Sequence, residues 1–153
     1  MSNSCMAAGV GATKAAKMYG SGPNQLSMKT VLIVDDSATM RRMIIAALRG
    51  VEQLSFTEAA SGLEAIERLA VVPADLVMLD LNMPDIHGLE VLRFMRSHAD
   101  FKNTPVVVLT TRNDQDSRDA AYRDGATLYL TKPFRPDMLA PEISRLLQPD
   151  PVG

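Results

Sequence analysis

Short apolar runs alternate with segments of helical periodicity from about residue 30 to the end of the chain. The first run, TVLIVD at residues 30–35, is typical of a strand that is buried on both faces. Apolar residues then recur at spacings of three and four, which is the pattern of one buried helix face. They are Met40, Met43, Ile44, Ala47 and Leu48. These segments predict a strand followed by a helix, and Gly50 marks the end of that helix.

The same alternation repeats four more times. Strands are predicted at 54–60, 75–80, 105–110 and 127–132, and helices from residue 61 and near 87–98, 114–124 and 135–147. The sequence SGLE at 61–64 has the form of a capping box, and its helix is predicted to turn Leu63, Ile66 and Leu69 inward. Parallel strands need crossover connections. Five strand-helix pairs therefore predict an α/β fold, a doubly wound parallel sheet with five helices on its two faces.

Two of the predicted helices have an unusual composition. Pro141 falls inside the last one, which predicts that this helix is kinked or starts late. The fourth helix offers only Ala120, Ala121 and Tyr122 as apolar contacts, so we expect it to be weakly anchored.

The first 27 residues differ in composition from the rest of the chain. Gly, Ala, Ser and Asn dominate them, which predicts a disordered N-terminal extension or tag. Met28 directly precedes KTVLIVDDS and suggests either a shorter natural start or a segment added upstream. The expected organisation is one folded domain at 28–148 and a short tail at 149–153. Cys5 is the single cysteine, so no internal disulfide is possible.

Composition narrows the classes of function. The chain has 153 residues, 46% of them hydrophobic, which is enough for one domain with a core. A formal charge of −2 without a basic cluster argues against a nucleic-acid partner. No apolar run approaches the roughly 20 residues of a membrane helix, and no secretory signal pattern is present. We therefore expect no membrane insertion and a cytoplasmic location.

Polar residues follow or close four of the five strands. They are Asp35 and Asp36 after the first strand, Asp80 at the third, Thr110 at the fourth and Lys132 at the fifth. Because the carboxyl ends of parallel strands share one edge, these side chains are expected to converge there. Three carboxylates repel one another, and Mg²⁺ would remove that conflict with the oxygen ligands it prefers.

Each of these residues also has an ordinary explanation when it is considered alone. Adjacent acids often cap a helix, a strand threonine often packs, and a strand-end lysine is often a solvated charge. Together they favour a phosphoryl-transfer site, with Lys132 and Thr110 contacting phosphoryl oxygens. Asp80 would be the nucleophile, because a carboxylate can form an aspartyl phosphate.

Four segments resemble the signature blocks of one family. VLIVDDSATMRR, LVMLDLNMPDIHG, PVVVLTT and GATLYLTKPF are similar to those of the receiver domain of bacterial two-component response regulators, specifically the single-domain chemotaxis type. The resemblance spans 28 to about 148. It implies a flavodoxin-like fold with strand order 2-1-3-4-5.

The resemblance also implies roles for individual residues. Asp80 would be the phosphoacceptor, and Mg²⁺ would lie among Asp35, Asp36, Asp80 and the backbone carbonyl of Asn82. Asp36 corresponds to the family's most direct metal ligand. The Lys132–Pro133 peptide bond is expected to be cis.

A second group of implied roles concerns the response to phosphorylation. Lys132 would pair with the phosphoryl group, Thr110 would be the switch hydroxyl, and Tyr129 the switch aromatic residue. Asn82 and Arg112, each two residues after a site residue, are expected to modulate how fast the phosphate is lost.

The resemblance implies that the protein is a stand-alone response regulator. It would not be an enzyme, because the only reactions it would catalyse are its own phosphorylation and dephosphorylation. A histidine kinase or phosphotransfer protein would be the donor, and a target protein would bind the fourth helix, fifth strand and fifth helix. A phosphorelay intermediate and a phosphate sink are alternatives, whereas the retention of all five site residues argues against a phosphorylation-independent scaffold. A Mg²⁺-dependent phosphohydrolase is less favoured, because Asn82 stands where a second acid is usual. His87 and His98 are expected to be loop and helix-end residues.

Overall fold

The computed structural model describes residues 28–148, and the predictions for 1–27, including Cys5, and for 149–153 lie outside the described residues. The strands are β1 (Lys29–Val34), β2 (Leu54–Ala59), β3 (Leu76–Leu79), β4 (Val106–Thr110) and β5 (Leu128–Thr131). The helices are α1 (Ala38–Leu48), α2 (Gly62–Val71), α3 (Gly88–Ser97), α4 (Gln115–Arg123) and α5 (Pro136–Leu147).

All five strands form one parallel sheet in the order β2-β1-β3-β4-β5. The order confirms the doubly wound, flavodoxin-like prediction. β1, β3 and β4 lie between other strands and contain the continuous apolar runs, because helices cover both of their faces.

Side chains of each strand alternate between two main cores. On one face, Leu32 and Val34 pack with residues of α2 and α3. On the other face, Val31 and Ile33 pack with residues of α1 and α5. A smaller cluster beneath α4 comprises Leu81, Val108, Ala121 and Tyr129. The sheet edge that carries the polar residues is therefore fixed from both sides.

Side-chain caps place the helix starts where the sequence predicts them. Ser37 begins α1 by accepting a hydrogen bond from the Met40 amide, and Ser61 does the same for the Glu64 amide. The Glu64 carboxylate accepts from the amide of Ala60, the residue before the cap, and not from the Ser61 amide, so only the Ser61 half of the predicted capping box forms.

Two side chains that were predicted to face inward do not. Leu63 is 53% exposed, and the buried residues of α2 are Gly62, Ala65 and Leu69. At about 100° per residue, Leu63 lies nearly opposite Ala65 on the helix. Met43 is 51% exposed for a similar reason, because the buried stripe of α1 runs through its neighbour Ile44.

The last helix begins at Pro136 and includes Pro141, so the expectation of a late start is wrong. Pro136 occupies the first turn, where a missing amide hydrogen is tolerated. Pro141 is exposed and lacks the hydrogen that would bond the Asp137 carbonyl. The apolar anchoring of α4 is weak as predicted, because Ala121 is its one buried residue. Between residues 28 and 148, no helix has the length and apolar character needed to cross a bilayer.

Candidate functional site

Two central strands bring the acidic residues together. Val34 of β1 is paired with Leu79 of β3, so the residues that follow them, Asp35 and Asp80, lie side by side. Carboxylate oxygens of Asp35, Asp36 and Asp80 all lie within 4.8 Å of one another. Asp35 and Asp80 are buried, whereas Asp36 is exposed. The edge of the sheet thus holds two negative charges that water solvates poorly.

Lys132, which follows β5, reaches into this cluster. Its Nζ donates to Asp35 Oδ2 at 2.7 Å and to Asp80 Oδ2 at 3.3 Å. Burial lowers the pKa of Lys132, but the hydrogen bond to Asp35 and the charge of Asp80 outweigh burial and raise it above the ordinary 10.5. The ammonium therefore stays charged at neutral pH. The Lys132–Pro133 peptide bond is cis, as expected.

The charge of the cluster fits a divalent cation. Three carboxylates face one ammonium, which leaves an excess of two negative charges. Each Asp35 oxygen accepts one hydrogen bond, Oδ2 from Lys132 and Oδ1 from the Ser37 amide at 2.9 Å, and each keeps a lone pair that an ion could use. Within residues 28–148, no hydrogen bond or ion pair engages the Asp36 carboxylate, so it is free to bind an ion. Hard oxygen ligands with an open, solvent-facing side suit Mg²⁺, which keeps several waters.

Arg112 connects residues 80–87, the loop between β3 and α3 that is called the acceptor loop below, to the loop between β4 and α4. Its Nε donates to Asn82 Oδ1 at 2.7 Å, and Asn82 donates to Thr111 Oγ1 at 3.4 Å. The Arg112 amide donates to the hydroxyl of Thr110, which is fully buried. The Asn82 amide donates to Asp80 Oδ1 at 3.2 Å. A continuous set of contacts thus runs from the central carboxylate to the fourth strand.

Tyr129 of β5 lies inward, with 3% of its surface exposed. Its hydroxyl donates to the Arg112 carbonyl at 2.7 Å. Burial, with the charge of Asp114, raises the pKa of Tyr129 above its ordinary value of 10.0, so the hydroxyl remains a donor. The structure therefore brings Thr110, Arg112 and Tyr129 into one group beside the acid cluster.

Sequence reasoning did not assign site roles to two residues of α4. The Arg118 guanidinium carbon lies 4.8 Å from the centre of the Tyr129 ring, and the Tyr122 hydroxyl accepts from the Tyr129 amide at 3.0 Å. Their spacing of four places them on one helix face, which is the signal that could have indicated a shared contact.

Three further residues that position the site were also not predicted. Arg41 donates to the Asp35 carbonyl at 2.6 Å and to Glu58 at 2.7 Å, and so fixes the loop after β1. Asp85 accepts from the Gly62 and Leu63 amides, both at 3.0 Å, which lowers its pKa from 3.8 to about 2. A Cβ on Gly88 would lie 2.5 Å from the Asp80 carbonyl oxygen, so the acceptor loop can pass there only over a glycine.

The two histidines lie outside the acid cluster. His87 caps the start of α3 by accepting from the Leu89 amide, and His98 lies at the end of that helix. Their expected loop and helix-end positions are confirmed.

Comparison with known proteins identifies the family. The model of the response regulator receiver domain matches residues 31–144. This chain belongs to the response regulator receiver family.

Relatives with the same receiver fold include chemotaxis proteins. The chain is 35% identical over 118 residues to chemotaxis protein CheY1 of Helicobacter pylori, covering 76% of this chain and 95% of the relative. The crystal structure of Vibrio cholerae CheY4 matches with a TM-score of 0.73 and 33% identity, over 79% of this chain and all of that one. The manganese-bound response regulator Rcp1 matches with a TM-score of 0.67 and 31% identity, over 77% and 91% of the two chains. The receiver described here is therefore CheY-like.

Proposed function

We propose that this receiver accepts a phosphoryl group on Asp80 from a histidine kinase or phosphotransfer protein and then signals through phosphorylation-dependent protein binding. The observation that carries the proposal is the grouping of Asp35, Asp36 and Lys132 around the Asp80 carboxylate. A carboxylate held among these groups is an accessible nucleophile only when the surrounding negative charge is compensated.

In the transfer step, the Asp80 carboxylate attacks the phosphorus of a phosphohistidine. The P–O bond to Asp80 forms as the P–N bond breaks, and the electron pair returns to the imidazole nitrogen, which takes a proton from water. Lys132 donates to a phosphoryl oxygen, and the Thr110 hydroxyl donates to another. Neither residue changes its covalent state.

Mg²⁺ bound by Asp36, Asp80 and the Asn82 carbonyl, with Asp35 supporting the cluster, would neutralise charge on the approaching phosphoryl oxygens. The charge excess at the cluster supports this assignment. The similar response regulator Rcp1 is manganese-bound, which supports the proposal that this receiver also binds a divalent ion.

Asn82 and Arg112 form the side of the site nearest the β4–α4 loop, and their hydrogen bond supports a role in the lifetime of the phosphoryl group. Water must approach Asp80 to hydrolyse the product. Side chains placed there would control that approach.

The names of the relatives support a chemotaxis role. A cytoplasmic location, and a target protein bound by the face of α4, β5 and α5, are part of the proposal and rest on the resemblance to the receiver family. The chain would then be a signalling domain, not an enzyme with an external substrate. A relay intermediate or phosphate sink would use the same transfer without a phosphorylation-dependent target. Asn82 disfavours a phosphohydrolase, and the intact site disfavours a phosphorylation-independent scaffold.

The test is intact-protein mass spectrometry after incubation with acetyl phosphate. We expect one added phosphate in the presence of Mg²⁺, almost none with a chelator, and none for Asp80→Asn. Asp100→Asn is the matched control. Asp100 is exposed in the loop before β4, at the amino ends of the strands, whereas the acid cluster lies at their carboxyl ends. Equal labelling of Asp80→Asn and the parent would overturn the nucleophile assignment. Sustained turnover of a small phosphate ester would favour the phosphohydrolase.

A further inference from the structure

The inward Tyr129 side chain is held by contacts with α4 and with the loop that precedes α4. Its hydroxyl bonds the Arg112 carbonyl, the Arg118 guanidinium lies over its ring, and its ring centre is 6.4 Å from that of Tyr122. Its backbone amide donates to the Tyr122 hydroxyl. None of these contacts includes Asp35, Asp36, Asp80 or Lys132. The inward position of Tyr129 is therefore held without a direct contact to the acid cluster.

The contact with Arg118 favours the inward orientation directly. A guanidinium that lies over an aromatic ring is attracted to its negative face, and a planar group loses little entropy when it stacks. Arg118 is only partly exposed, so water does not fully compensate the loss of this contact. If the ring turned outward, away from the Arg112 carbonyl, it would lose its contact with the Arg118 guanidinium.

Tyr122 acts on the backbone of the same residue. β5 is the outermost strand on its side of the sheet, and the Tyr129 amide finds its acceptor in the Tyr122 hydroxyl. This bond fixes the spacing between α4 and β5 at the residue whose side chain would move. Because Arg118 and Tyr122 lie on one helix face, a displacement of α4 must break both contacts together.

We propose that Arg118 and Tyr122 are positioning residues that hold Tyr129 inward and set the resting population of the inward arrangement. The inference rests on the proposed function, in which phosphorylation of Asp80 favours that same arrangement. A ligand can shift a two-state equilibrium only by its differential affinity for the two states. A receiver whose α4 already favours the inward state would therefore respond to phosphorylation with a smaller change at its target-binding face.

The test is NMR of the full chain with labelled tyrosine rings, and only three tyrosines are present. The readout is the set of nuclear Overhauser effects between the Tyr129 ring and the Arg112 backbone, measured without any phosphoryl analogue. We expect strong effects in the parent protein. Arg118→Ala should lower the inward-to-outward ratio about two- to fivefold, which corresponds to the loss of an exposed cation–π contact. Tyr122→Phe, which keeps the ring and removes the acceptor, should also lower it.

Arg123→Ala is the matched control, since it removes the same charge from the same helix at an exposed position. It should leave the effects unchanged. The inference is overturned if Arg118→Ala matches the parent, or if Arg123→Ala weakens the effects equally. Beryllofluoride should restore the inward signals in Arg118→Ala. Loss of the signals without that recovery would count against the proposed function while supporting the positioning role.

Discussion

The acid cluster and the α4–β5 face are held by different kinds of contact. Asp35 and Asp80 follow central strands whose residues are almost entirely buried, so the backbone cannot move without disturbing both cores. α4 buries one alanine and is otherwise attached to β5 through an arginine, a tyrosine hydroxyl and a ring contact. Chemistry that needs fixed distances is therefore built on packed strands. The α4–β5 face, which we propose to change on phosphorylation, is attached by a few weak contacts that can be exchanged.

The largest expected effect tests how tightly the acid-cluster side is packed. Gly88→Ala would place a methyl group 2.5 Å from the Asp80 carbonyl oxygen and 2.7 Å from the Leu81 Cα, both of them backbone atoms. We expect a cost of about 1–3 kcal/mol, or about 4–12 °C in the thermal midpoint.

Gly50→Ala is the matched control for that measurement, because among residues 28–148 no atom beyond its own chain neighbours lies within 4 Å of the added methyl group. It should shift the thermal midpoint by no more than about 2 °C. A tolerated Gly88→Ala would mean that the acceptor loop is more adaptable than the structure indicates, and the contrast with α4 would weaken.

An intermediate effect is expected in hydrogen exchange, which compares the two regions directly. α3 buries Val91, Leu92 and Met95, whereas α4 buries only Ala121. Opening α4 exposes less apolar surface, so its amides should exchange at least about tenfold faster than those of α3, measured by mass spectrometry on peptides. Equal protection of the two helices would show that the polar contacts of α4 are as stabilising as a packed core.

The smallest expected effect concerns the loop that follows β3. Asp85 has a folded-state pKa of about 2 against an ordinary 3.8, because it accepts from two α2 amides. A carboxylate whose pKa is lowered by folding stabilises the fold when the pH is above the ordinary pKa. This contribution is lost as the pH falls toward 2. Asp85→Asn should therefore lower the thermal midpoint at pH 7 by less than about 3 °C.

The pH dependence of the thermal midpoint distinguishes the contact between Asp85 and the α2 amides from a general surface effect. The difference in midpoint between Asp85→Asn and the parent should be constant from pH 7 to about 5 and shrink between about pH 4 and 2. A difference that stays unchanged down to pH 3 would show that the carboxylate charge does not hold the loop.

Much of the fold was predictable from sequence because its signals are local. Buried strands such as Val31–Val34 form unbroken apolar runs, and the cap at Ser61 is encoded within four residues. The convergence of Asp35 and Asp80 also followed, since parallel strands end at one edge. Leu63 was assigned to the wrong face because several helix registers satisfy the same short apolar pattern.

Contacts between distant elements were less accessible to sequence reasoning. Arg118 and Tyr129 are brought together by the connection between α4 and β5, and no spacing rule specifies which side chain of a helix lies over a neighbouring strand. Asp85 looks like an ordinary loop acid until the fold places it at the amino end of α2. The grouping of the site residues was therefore predictable, while the contacts that position them required the tertiary structure.

Arg112 contacts its two partners through different parts of the residue. Its side chain bonds Asn82, whereas its main-chain carbonyl accepts from Tyr129. Every amino acid supplies that carbonyl, so substitution at this position can remove the first contact and keep the second. Under the proposed function, the side chain at this position would tune how long the phosphoryl group persists, while the carbonyl would keep its contact with Tyr129 whatever residue stands there.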